Sequence, residues 1–422
     1  MKLEYSNTQD WAKAKDAYDP LRKYREQFFI PRDASGQQLI YLCGNSLGLQ
    51  PKTTRSALDQ ELRDWKNYGV EGHFHAKNPW MPYHEFLTEA MAEVVGAKKH
   101  EVVVMNTLSV NLHLMMVSFY RPTKERFKIL IESDAFPSDK YAVESQAKFH
   151  GYDPTDAVIE LKPREGETCL RSEDIHATIE KEGQEIALIM IGNTNYYTGQ
   201  FFDMKSITEW GHAQGCKVGF DCAHGAGNVD LNLHDTGADF AVWCTYKYLN
   251  SGPGSLGGVF VHERHAEDDT LPKFTGWWGH KKETRFKMRD GFEPIKGVES
   301  WQLSNPPILS MAAIWASLKI FQEAGIDNLR KKSLHLSGYL RYLIEEQDNK
   351  QITIITPSED ARRGSQQSIQ VKNANKAIFE KITAQGVIAD WREPDVIRVA
   401  TTALYNSYED VYRFVEILKA EL

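Results

Sequence analysis

The sequence predicts an α/β protein whose larger part has a mostly parallel sheet and whose C-terminal part is a smaller α+β region. Between residues 101 and 261, short apolar runs of strand length alternate with stretches of helix length. After about residue 324 the pattern changes to long charged helices and short strands. Since 422 residues can form more than one core, we expect two domains, with the ligand beyond the carboxyl ends of the parallel strands.

Composition and charge are those of a soluble globular enzyme. Hydrophobic residues make up 41% of the chain and charged residues 26%, and the formal net charge of −8 gives no reason to expect a nucleic acid or an anionic membrane as partner. No apolar run approaches the roughly 20 residues of a membrane span, and the polar N-terminus does not resemble a signal peptide. The five cysteines are scattered and form no C-x-x-C pair, which predicts reduced thiols in a cytoplasmic protein.

The N-terminal region predicts a helix, a short strand and a second helix. Residues 7–30 are amphipathic, and residues 39–43 have the apolar character of a strand. The strand leads into Gly44-Asn45-Ser46-Leu47-Gly48-Leu49, a tight turn with free backbone donors, for which an ordinary connecting turn is the alternative. The second helix covers residues 53–68, and Gly69 ends it.

Two histidine pairs raise the question of a metal site. His73 and His75 are expected in a loop, with no carboxylate or cysteine at ligand spacing. His262-Glu263-Arg264-His265 is one residue short of the H-E-x-x-H zinc motif. We therefore expect no metal.

The first strand of the alternating region covers residues 102–105. A helix that runs to about Phe119 then begins in the segment Asn106-Thr107-Leu108-Ser109-Val110-Asn111. The start of a helix presents unpaired N–H groups and the positive end of the helix dipole. Leu108 and Ser109 are therefore candidates for binding a phosphate, and a simple helix cap is the alternative.

The next strand, residues 128–132, precedes a helix from Pro137 to about Phe149, since proline suits the first turn of a helix. Phe136 lies just before this helix and can stack on a planar cofactor, although burial in a core is the commoner position for phenylalanine. Two further strands cover residues 157–161 and 186–191. The second of these ends in a polar loop that runs from Gly192 to Gly199.

The strongest chemical signal comes from two later strands. Residues 216–220 form an apolar run that ends in Asp221, and residues 240–244 form another that ends in Thr245-Tyr246-Lys247. A lysine can form a Schiff base with pyridoxal phosphate, and an acidic group can pair with its ring nitrogen. Each residue alone has an ordinary alternative, a turn-capping aspartate and a solvated lysine, but their combination with His224 and Tyr246 favours a cofactor site.

Residues 252–257 match the dinucleotide motif G-x-G-x-x-G in form only. In a dinucleotide site the motif follows a strand and opens a helix, whereas here it leads into a third strand, residues 257–261. NAD is therefore not expected.

The C-terminal part begins after two polar, aromatic turns, residues 275–280 and 301–307, and a helix to about residue 324. Its predicted elements are helices over 326–346, near 374–384 and at the C-terminus, and strands over 352–355, 368–371 and 396–400. Arg398 lies inside the last of these strands. A charge in an apolar strand needs a partner, which a substrate carboxylate at the edge of the first domain would supply; an exposed charge on an edge strand is the alternative.

Together these residues resemble the kynureninase family, pyridoxal-phosphate enzymes of fold type I that are related to the class V aminotransferases. The resemblance spans essentially the whole chain. It rests on YLCGNSLGLQP (41–51), MNTLSVNLHLMM (105–116), AFPSDKYAVESQ (135–146), FDCAHGAGN (220–228), TYKYLNSGPG (245–254), GWWGH (276–280), RFKM (285–288), SNPP (304–307) and IRVATTALYNS (397–407).

The resemblance implies a large domain with a mostly parallel, seven-stranded sheet and a smaller C-terminal α+β domain. The implied segments are an N-terminal helical segment and arm packed on the small domain (1–75), a large cofactor domain (76–310) and a small domain (311–422). It implies a homodimer with shared active sites that hydrolyses L-kynurenine, or its 3-hydroxy derivative, to anthranilate, or 3-hydroxyanthranilate, and L-alanine. The implied setting is tryptophan degradation or NAD biosynthesis in the cytoplasm.

Residue roles follow from the same resemblance. Lys247 carries the cofactor and acts as the base, Asp221 pairs with the ring nitrogen, and Tyr246 is a catalytic proton donor. Cofactor contacts are implied for Leu108, Ser109, Phe136, Pro137, Ser138, Asp139, Asp221, His224, Tyr246, Lys247 and, from the second subunit, Trp277 and Asn305. Substrate contacts are implied for Arg398, Ser46, Trp278 and Asn305. One departure is Ser109, where the family more often has threonine; either hydroxyl can donate to a phosphate.

The alternative is another class V enzyme. A cysteine desulfurase needs a mobile cysteine, usually late in the chain, but the last cysteine here is Cys244, within a predicted strand. An aminotransferase shares the lysine, aspartate and arginine and is not excluded by these residues. The presence of all three argues against a catalytically silent binding protein.

Overall fold

The computed structural model describes residues 4–265, 268, 270–287 and 291–422. Residues 1–3 of the expected N-terminal segment and Met288 of the RFKM stretch lie outside the described residues. The described helices are α1 (Gln9–Tyr18), α2 (Arg22–Arg25), α3 (Thr54–Tyr68), α4 (Gly72–His75), α5 (Glu85–Val95), α6 (Leu108–Phe119), α7 (Pro137–Phe149), α8 (Pro154–Ala157), α9 (Ser172–Glu182), α10 (Met204–Ala213), α11 (Leu233–Thr236), α12 (Ile308–Ala324), α13 (Ile326–Glu345), α14 (Lys376–Ala384) and α15 (Tyr408–Ala420).

The described strands form three sheets. They are β1 (Ile40–Tyr41), β2 (Val102–Met105), β3 (Lys128–Glu132), β4 (Val158–Leu161), β5 (Ile186–Gly192), β6 (Lys217–Asp221), β7 (Phe240–Cys244), β8 (Gly257–Val261), β9 (Ile352–Ile354), β10 (Gln366–Val371), β11 (Val387–Ile388), β12 (Asp390–Arg392) and β13 (Val396–Ala400).

The largest sheet has seven strands in the order β2-β8-β7-β6-β5-β3-β4. Strands β3 to β7 pair in parallel, and only β8 runs against its two neighbours, β2 and β7. The predicted mostly parallel, seven-stranded sheet is therefore confirmed. Because β8 alone is reversed, the other six strands end at one edge, which is where ligands bind in such sheets.

Apolar side chains cover both faces of this sheet. Along β2, Val102 and Val104 face one hydrophobic core, whereas Val103 and Met105 face the other. Strands buried on both faces are expected to be continuously apolar, as these are. Gly219 on β6 is needed for this packing, because a Cβ there would collide with the ring of Phe240 on β7.

The C-terminal region has its own core around a four-stranded antiparallel sheet, β12-β13-β10-β9. The N-terminal segment belongs to the same core: Ala12 of α1 and Ile40 of β1 are fully or almost fully buried in it. Strand β1 pairs in parallel with β11. The first and last parts of the chain therefore fold together, and the domain boundaries stay a prediction.

Two local expectations are wrong. Residues 7–30 do not form one helix, because α1 ends at Tyr18 and α2 covers only Arg22–Arg25. The break falls at Pro20, since proline and the residue before it both disfavour helix continuation. Residues 72–75 were expected in a loop but form one helical turn, α4. Among the helices of the described ranges, none is both long enough and apolar enough to cross a membrane.

Candidate active site

A cavity lies at the carboxyl edge of the large sheet, where the segments after β2, β3, β5, β6 and β7 meet. Its volume, including the part that is open to solvent, is about 530 Å³. Its lining residues are Leu108, Ser109, Glu132, Phe136, Ser138, Asp139, Gly192, Thr194, Tyr196, Asp221, Ala223, His224, Tyr246 and Lys247. The structure thus brings together most of the predicted cofactor residues, although they come from four separate segments of the chain.

One end of the cavity is suited to a phosphate. Helices α6 and α7 both begin there, and neither has a side-chain cap on its first N–H groups. The hydroxyl oxygens of Ser109 and Ser138 lie 2.7 Å apart between the two helix starts. Free N–H groups, two aligned helix dipoles and two hydroxyls form an environment that favours an anion. Pro137, the first residue of α7, shapes this end of the cavity without lining it.

The cavity also holds two carboxyl groups that influence each other's protonation. Asp221 ends β6, and its Oδ1 accepts a hydrogen bond from the Ala223 N–H at 2.6 Å. Asp139 lies in the first turn of α7, and burial, with repulsion from Asp221, raises the pKa of Asp139 well above its usual range. Burial also raises the pKa of Asp221, but the nearby Lys247 opposes this effect. We infer that Asp139 is the protonated partner and Asp221 the charged one.

A third carboxyl group, Glu132, lies behind the pair at the end of β3. Both of its oxygens accept a hydrogen bond from the Gly192 N–H, at 3.2 and 3.1 Å. Burial and the neighbouring Asp221 raise the pKa of Glu132 to about 7. Gly192 permits this approach, because a Cβ at that position would lie 2.7 Å from Glu132 Oε1.

Glu132→Gln is expected to stabilise the fold above about pH 7, and the gain should disappear towards pH 4.5. The folded-state pKa of Glu132 is raised from 4.5 to about 7, so the folded protein holds this proton more tightly and loses stability as the pH rises between these values. Glutamine keeps an acceptor for the Gly192 N–H and has no charge to bury. The gain at pH 8 should be on the order of 3 kcal/mol, measured by urea denaturation.

The control for this prediction is the exposed Glu125, whose replacement by glutamine should change the free energy of unfolding little at either pH. Equal stabilisation of the Glu132 variant at pH 5 and pH 8 would contradict the assigned titration.

Lys247 follows β7, and its Nζ lies 3.0 Å from Nε2 of His224. Burial and the charge of Lys247 lower the pKa of His224 well below its usual range. The histidine is therefore neutral at physiological pH, and its Nε2 accepts a hydrogen bond from the lysine amine.

The predicted glycine turn supports the lysine from outside the cavity. The Gly48 N–H donates to the Tyr246 carbonyl at 2.8 Å. A Cβ at Gly48 would collide with the Lys247 carbonyl oxygen, so glycine is required at this contact. The turn is thus more than a connection between two elements, because it packs directly against the lysine backbone.

Aromatic groups form one wall of the cavity. Phe136 is 45% exposed, so burial in a core, the alternative considered for it, is wrong. Its ring meets Tyr196 edge to face at 5.3 Å, and the Lys247 Nζ lies 5.8 Å from its centroid. Burial raises the pKa of the Tyr246 phenol, which therefore stays protonated at physiological pH.

Some predicted residues lie outside this cavity. Arg398 is 1% exposed on β13, which has a strand on either side, so its alternative position as an exposed edge charge is wrong. Its guanidinium donates to the Tyr196 carbonyl and to Asp390. Ser46 also donates to Asp390, at 2.7 Å, and does not reach the cavity.

Within a single chain, the residues expected to form the pocket for the aryl ketone also lie outside the cavity. Trp278 is fully buried, with the Arg285 guanidinium 4.3 Å from its ring, and its contact with the substrate stays a prediction. Trp277 is 44% exposed, and Asn305 is exposed. Neither lines the cavity, and their contribution from a second subunit stays a prediction.

Five lining residues were not predicted as site residues from the sequence: Glu132, Gly192, Thr194, Tyr196 and Ala223. Glu132 ends the apolar run 128–132, which is the same signal that identified Asp221. Thr194 and Tyr196 lie in the polar loop after β5, which was expected at this edge without a role for either residue.

One cluster of potential metal ligands, formed by Glu101, His234 and His262, occurs within the described ranges. The Glu101 carboxylate already accepts from His234 and from the backbone N–H groups of residues 98 and 263. The two imidazole rings are stacked at 5.1 Å with an interplanar angle of 17°. Because imidazole binds a metal through a lone pair in the ring plane, stacked rings do not direct both lone pairs at one ion. This arrangement does not favour a metal, and the expectation of none stays a prediction.

The cavity fits pyridoxal phosphate. It offers a lysine amine, a charged carboxylate for a cationic ring nitrogen, an aromatic face and an anion site between two helix starts. Three buried polar atoms on its wall have no protein partner and are available to polar ring substituents: Asp139 Oδ1, Thr194 Oγ1 and His224 Nδ1.

Known proteins similar to this chain carry the same family description. A model described as the kynureninase C-terminal domain matches residues 329–418. A kynureninase of Koribacter versatilis (strain Ellin345) is 57% identical over 418 residues, 99% of this chain and 99% of the relative. A kynureninase of Myxococcus xanthus (strain DK1622) is 56% identical over 415 residues, 98% of this chain and 97% of the relative.

Solved structures share the fold at much lower identity. The apo structure of a cysteine desulfurase from Thermococcus onnurineus NA1 has a TM-score of 0.75 and 17% identity, covering 90% of this chain and 94% of the other. A C-DES mutant with glycine covalently linked to its PLP cofactor has a TM-score of 0.77 and 15% identity, covering 93% and 98%. These similarities confirm the expected fold-type I architecture.

Proposed function

This chain belongs to the kynureninase family, and on that premise we propose that it hydrolyses L-kynurenine, or its 3-hydroxy derivative, with pyridoxal phosphate as cofactor. The products are anthranilate, or its 3-hydroxy derivative, and L-alanine. The observation that carries the proposal is that Lys247 and Asp221 line the same cavity, where the Lys247 Nζ lies 3.0 Å from His224 Nε2. The rival desulfurase has no support here, because none of the described residues that line the cavity is a cysteine.

We propose the following residues for the cofactor. Lys247 would bind it covalently, Asp221 would pair with the ring nitrogen, and Phe136 would lie on the ring face. The α6 and α7 starts, with Leu108, Ser109 and Ser138, would hold the phosphate. Asp139, His224 and Tyr246 would complete its surroundings. The cofactor's chemistry is to accept the electrons released when bonds to the substrate α-carbon and β-carbon break.

The chain's own residues supply the proton transfers. The Lys247 amine removes the proton from the substrate Cα, and neutral His224 holds that amine in position through its hydrogen bond. Water adds to the ketone at Cγ, and the Cβ–Cγ bond breaks to give the carboxylic acid. Tyr246, which keeps its proton because burial raises its pKa, donates a proton to Cβ, and the protonated Lys247 returns a proton to Cα, so that the second product is alanine. The proton released when the carboxylic acid ionises restores the Tyr246 phenol.

Arg398→Ala is expected to raise KM for L-kynurenine about 100-fold with a smaller change in kcat. A buried charge-assisted contact to the α-carboxylate contributes roughly 2–5 kcal/mol, and alanine removes both donors of the guanidinium fork. Steady-state release of anthranilate measures both constants. Arg121→Ala, at an exposed arginine, is the control. An unchanged KM would place the carboxylate site elsewhere.

We also propose a homodimer in which Trp277 and Asn305 reach the partner's cavity. Support comes from large apolar side chains that are exposed in the single chain, among them Phe136, Trp277 and Leu309. Light scattering of the purified protein would give the mass, and a monomer would contradict this proposal. The role in tryptophan degradation or NAD biosynthesis and the cytoplasmic location stay predictions.

The test of the proposed function starts from the visible spectrum of the purified protein. Addition of L-kynurenine should release anthranilate, followed by its fluorescence, and an equal amount of alanine without a keto-acid acceptor. A coloured protein that requires a keto acid would support an aminotransferase instead. A protein that stays colourless with added pyridoxal phosphate would contradict the cofactor assignment.

A further inference from the structure

One donor nitrogen of the buried Arg398 guanidinium has no hydrogen-bond partner. Its Nη1 donates to the Tyr196 carbonyl at 2.5 Å, and its Nη2 donates to Asp390. Its Nε is buried and has no partner. Leaving a buried charged donor without a partner is unfavourable, so an acceptor placed beside Nε would stabilise the guanidinium.

Asp390 is held opposite this arginine by the small sheet. Strands β12 and β13 are antiparallel, and their register places Asp390 directly across from Arg398. A single oxygen, Oδ2, accepts from Arg398, from Arg392 Nη2 at 3.0 Å and from Ser46 Oγ at 2.7 Å. The carboxylate therefore bonds the arginine through one hydrogen bond, not through two.

The arginine lies directly behind the cavity wall. Tyr196 lines the cavity, and the central carbon of the Arg398 guanidinium lies 5.7 Å from the centre of its ring. Arg392 approaches the same ring at 6.0 Å. Tyr196 is thus shared between the cavity wall and the surroundings of the guanidinium.

We propose that Asp390 is an internal competitor that occupies the carboxylate-binding side of Arg398 until the substrate α-carboxylate displaces it. The proposal rests on the proposed function, because it takes Arg398 as the residue that binds the substrate carboxylate. Nε and Nη2 lie on one edge of the guanidinium, so a free carboxylate can accept from both at once, whereas Asp390 accepts only from Nη2. The exchange satisfies the unpaired Nε.

The displaced aspartate keeps a charged partner. Arg392, with a side chain 38% exposed, already bonds the same oxygen and remains available after Arg398 turns to the substrate. After the exchange Asp390 is paired with Arg392, and Arg398 is paired with the substrate carboxylate. Neither Asp390 nor Arg398 is then left without a partner of opposite charge. A ligand that lacks a carboxylate cannot replace Asp390 as the acceptor for Arg398. Asp390 therefore makes binding selective for ligands with an α-carboxylate.

The test is Asp390→Asn in the holoenzyme. The amide is a weaker acceptor for Arg398 than the carboxylate, so more of the protein has a free arginine and the apparent affinity for a carboxylate rises. We expect KM for L-kynurenine and the dissociation constant of L-alanine to fall about threefold to tenfold, with kcat changed less than about twofold. The affinity for L-alaninamide, which lacks the carboxylate, should not change. Changes in the visible absorbance of the cofactor report both bindings.

The control is Asp395→Asn, in the turn between the same two strands. Asp395 accepts from Gln370 and does not contact Arg398, so this variant should leave the affinity for L-alanine unchanged. An unchanged or raised dissociation constant for L-alanine in Asp390→Asn would overturn the proposal, since it would make Asp390 an inert or an orienting partner of Arg398.

Ser46→Ala provides a second variant should Asp390→Asn not fold. It removes one of the donors that hold Asp390, and the L-alanine dissociation constant is expected to fall about twofold; a rise would overturn the proposal. Failure of the proposed function has a different signature. The wild-type protein would release no anthranilate, while the contrast between L-alanine and L-alaninamide would still decide the role of Asp390.

Discussion

Replacement of Lys247 by alanine is expected to reduce turnover of L-kynurenine by at least about 1,000-fold. In the proposed function the amine would be both the covalent anchor for the cofactor and the base for the Cα proton, and none of the other described residues that line the cavity carries an amine. The neighbouring His224 cannot replace it, because its pKa is lowered well below the usual range and it is a weak base. Anthranilate fluorescence measures the loss.

The control for the lysine variant is Lys162→Ala, at an exposed site after β4, which should retain full activity. Addition of a small primary amine should restore part of the Lys247→Ala activity, since it supplies the missing base in solution. Appreciable steady-state turnover without added amine would contradict the assignment of Lys247.

Replacement of Asp221 by asparagine is expected to reduce kcat/KM about 1,000-fold, equivalent to roughly 4 kcal/mol. The carboxylate would stabilise a cationic ring nitrogen, and a neutral amide removes that charge while it keeps the shape and the hydrogen bond from Ala223. The comparison with Asp139→Asn makes the test specific. Asp139 is the protonated member of the pair, so asparagine preserves its neutral, hydrogen-bonding character, and the loss should stay below about tenfold.

Equal losses in the two aspartate variants would contradict the assignment of the charge to Asp221. The visible spectrum gives an independent measurement, because the absorbance of the cofactor depends on the protonation of its ring nitrogen. We expect the spectrum to change in Asp221→Asn and to stay close to that of the wild type in Asp139→Asn.

The large sheet and the centre of the site could be predicted because their signals are local. Each strand is a short apolar run, and Asp221 and Lys247 each follow one directly, so the parallel arrangement brings them to one edge. Glu132 carries the same signal at the end of β3 but was not selected. Pro20 is also a local signal, in this case for a break between helices. The prediction of one helix over residues 7–30 did not take it into account.

The surroundings of Arg398 could not be predicted for a different reason. Its partner Asp390 is the first residue of a three-residue strand with no periodic pattern, and their pairing depends on the register of β12 and β13. Ser46 joins the same carboxylate from 344 residues away along the chain. The burial of Trp278 likewise depends on Arg285, and the sequence near either residue does not indicate that contact.

The pairing of β1 with β11 has a consequence for synthesis of the protein. Ile40 leaves the ribosome long before Val387, its partner in the register, has been translated. The core that buries α1 and β1 therefore cannot close until almost the whole chain is made, while the large sheet between them is complete by residue 261. A ribosome-bound chain is expected to carry a folded central sheet with an unprotected N-terminal arm, and proteolysis of stalled chains should remove that arm first.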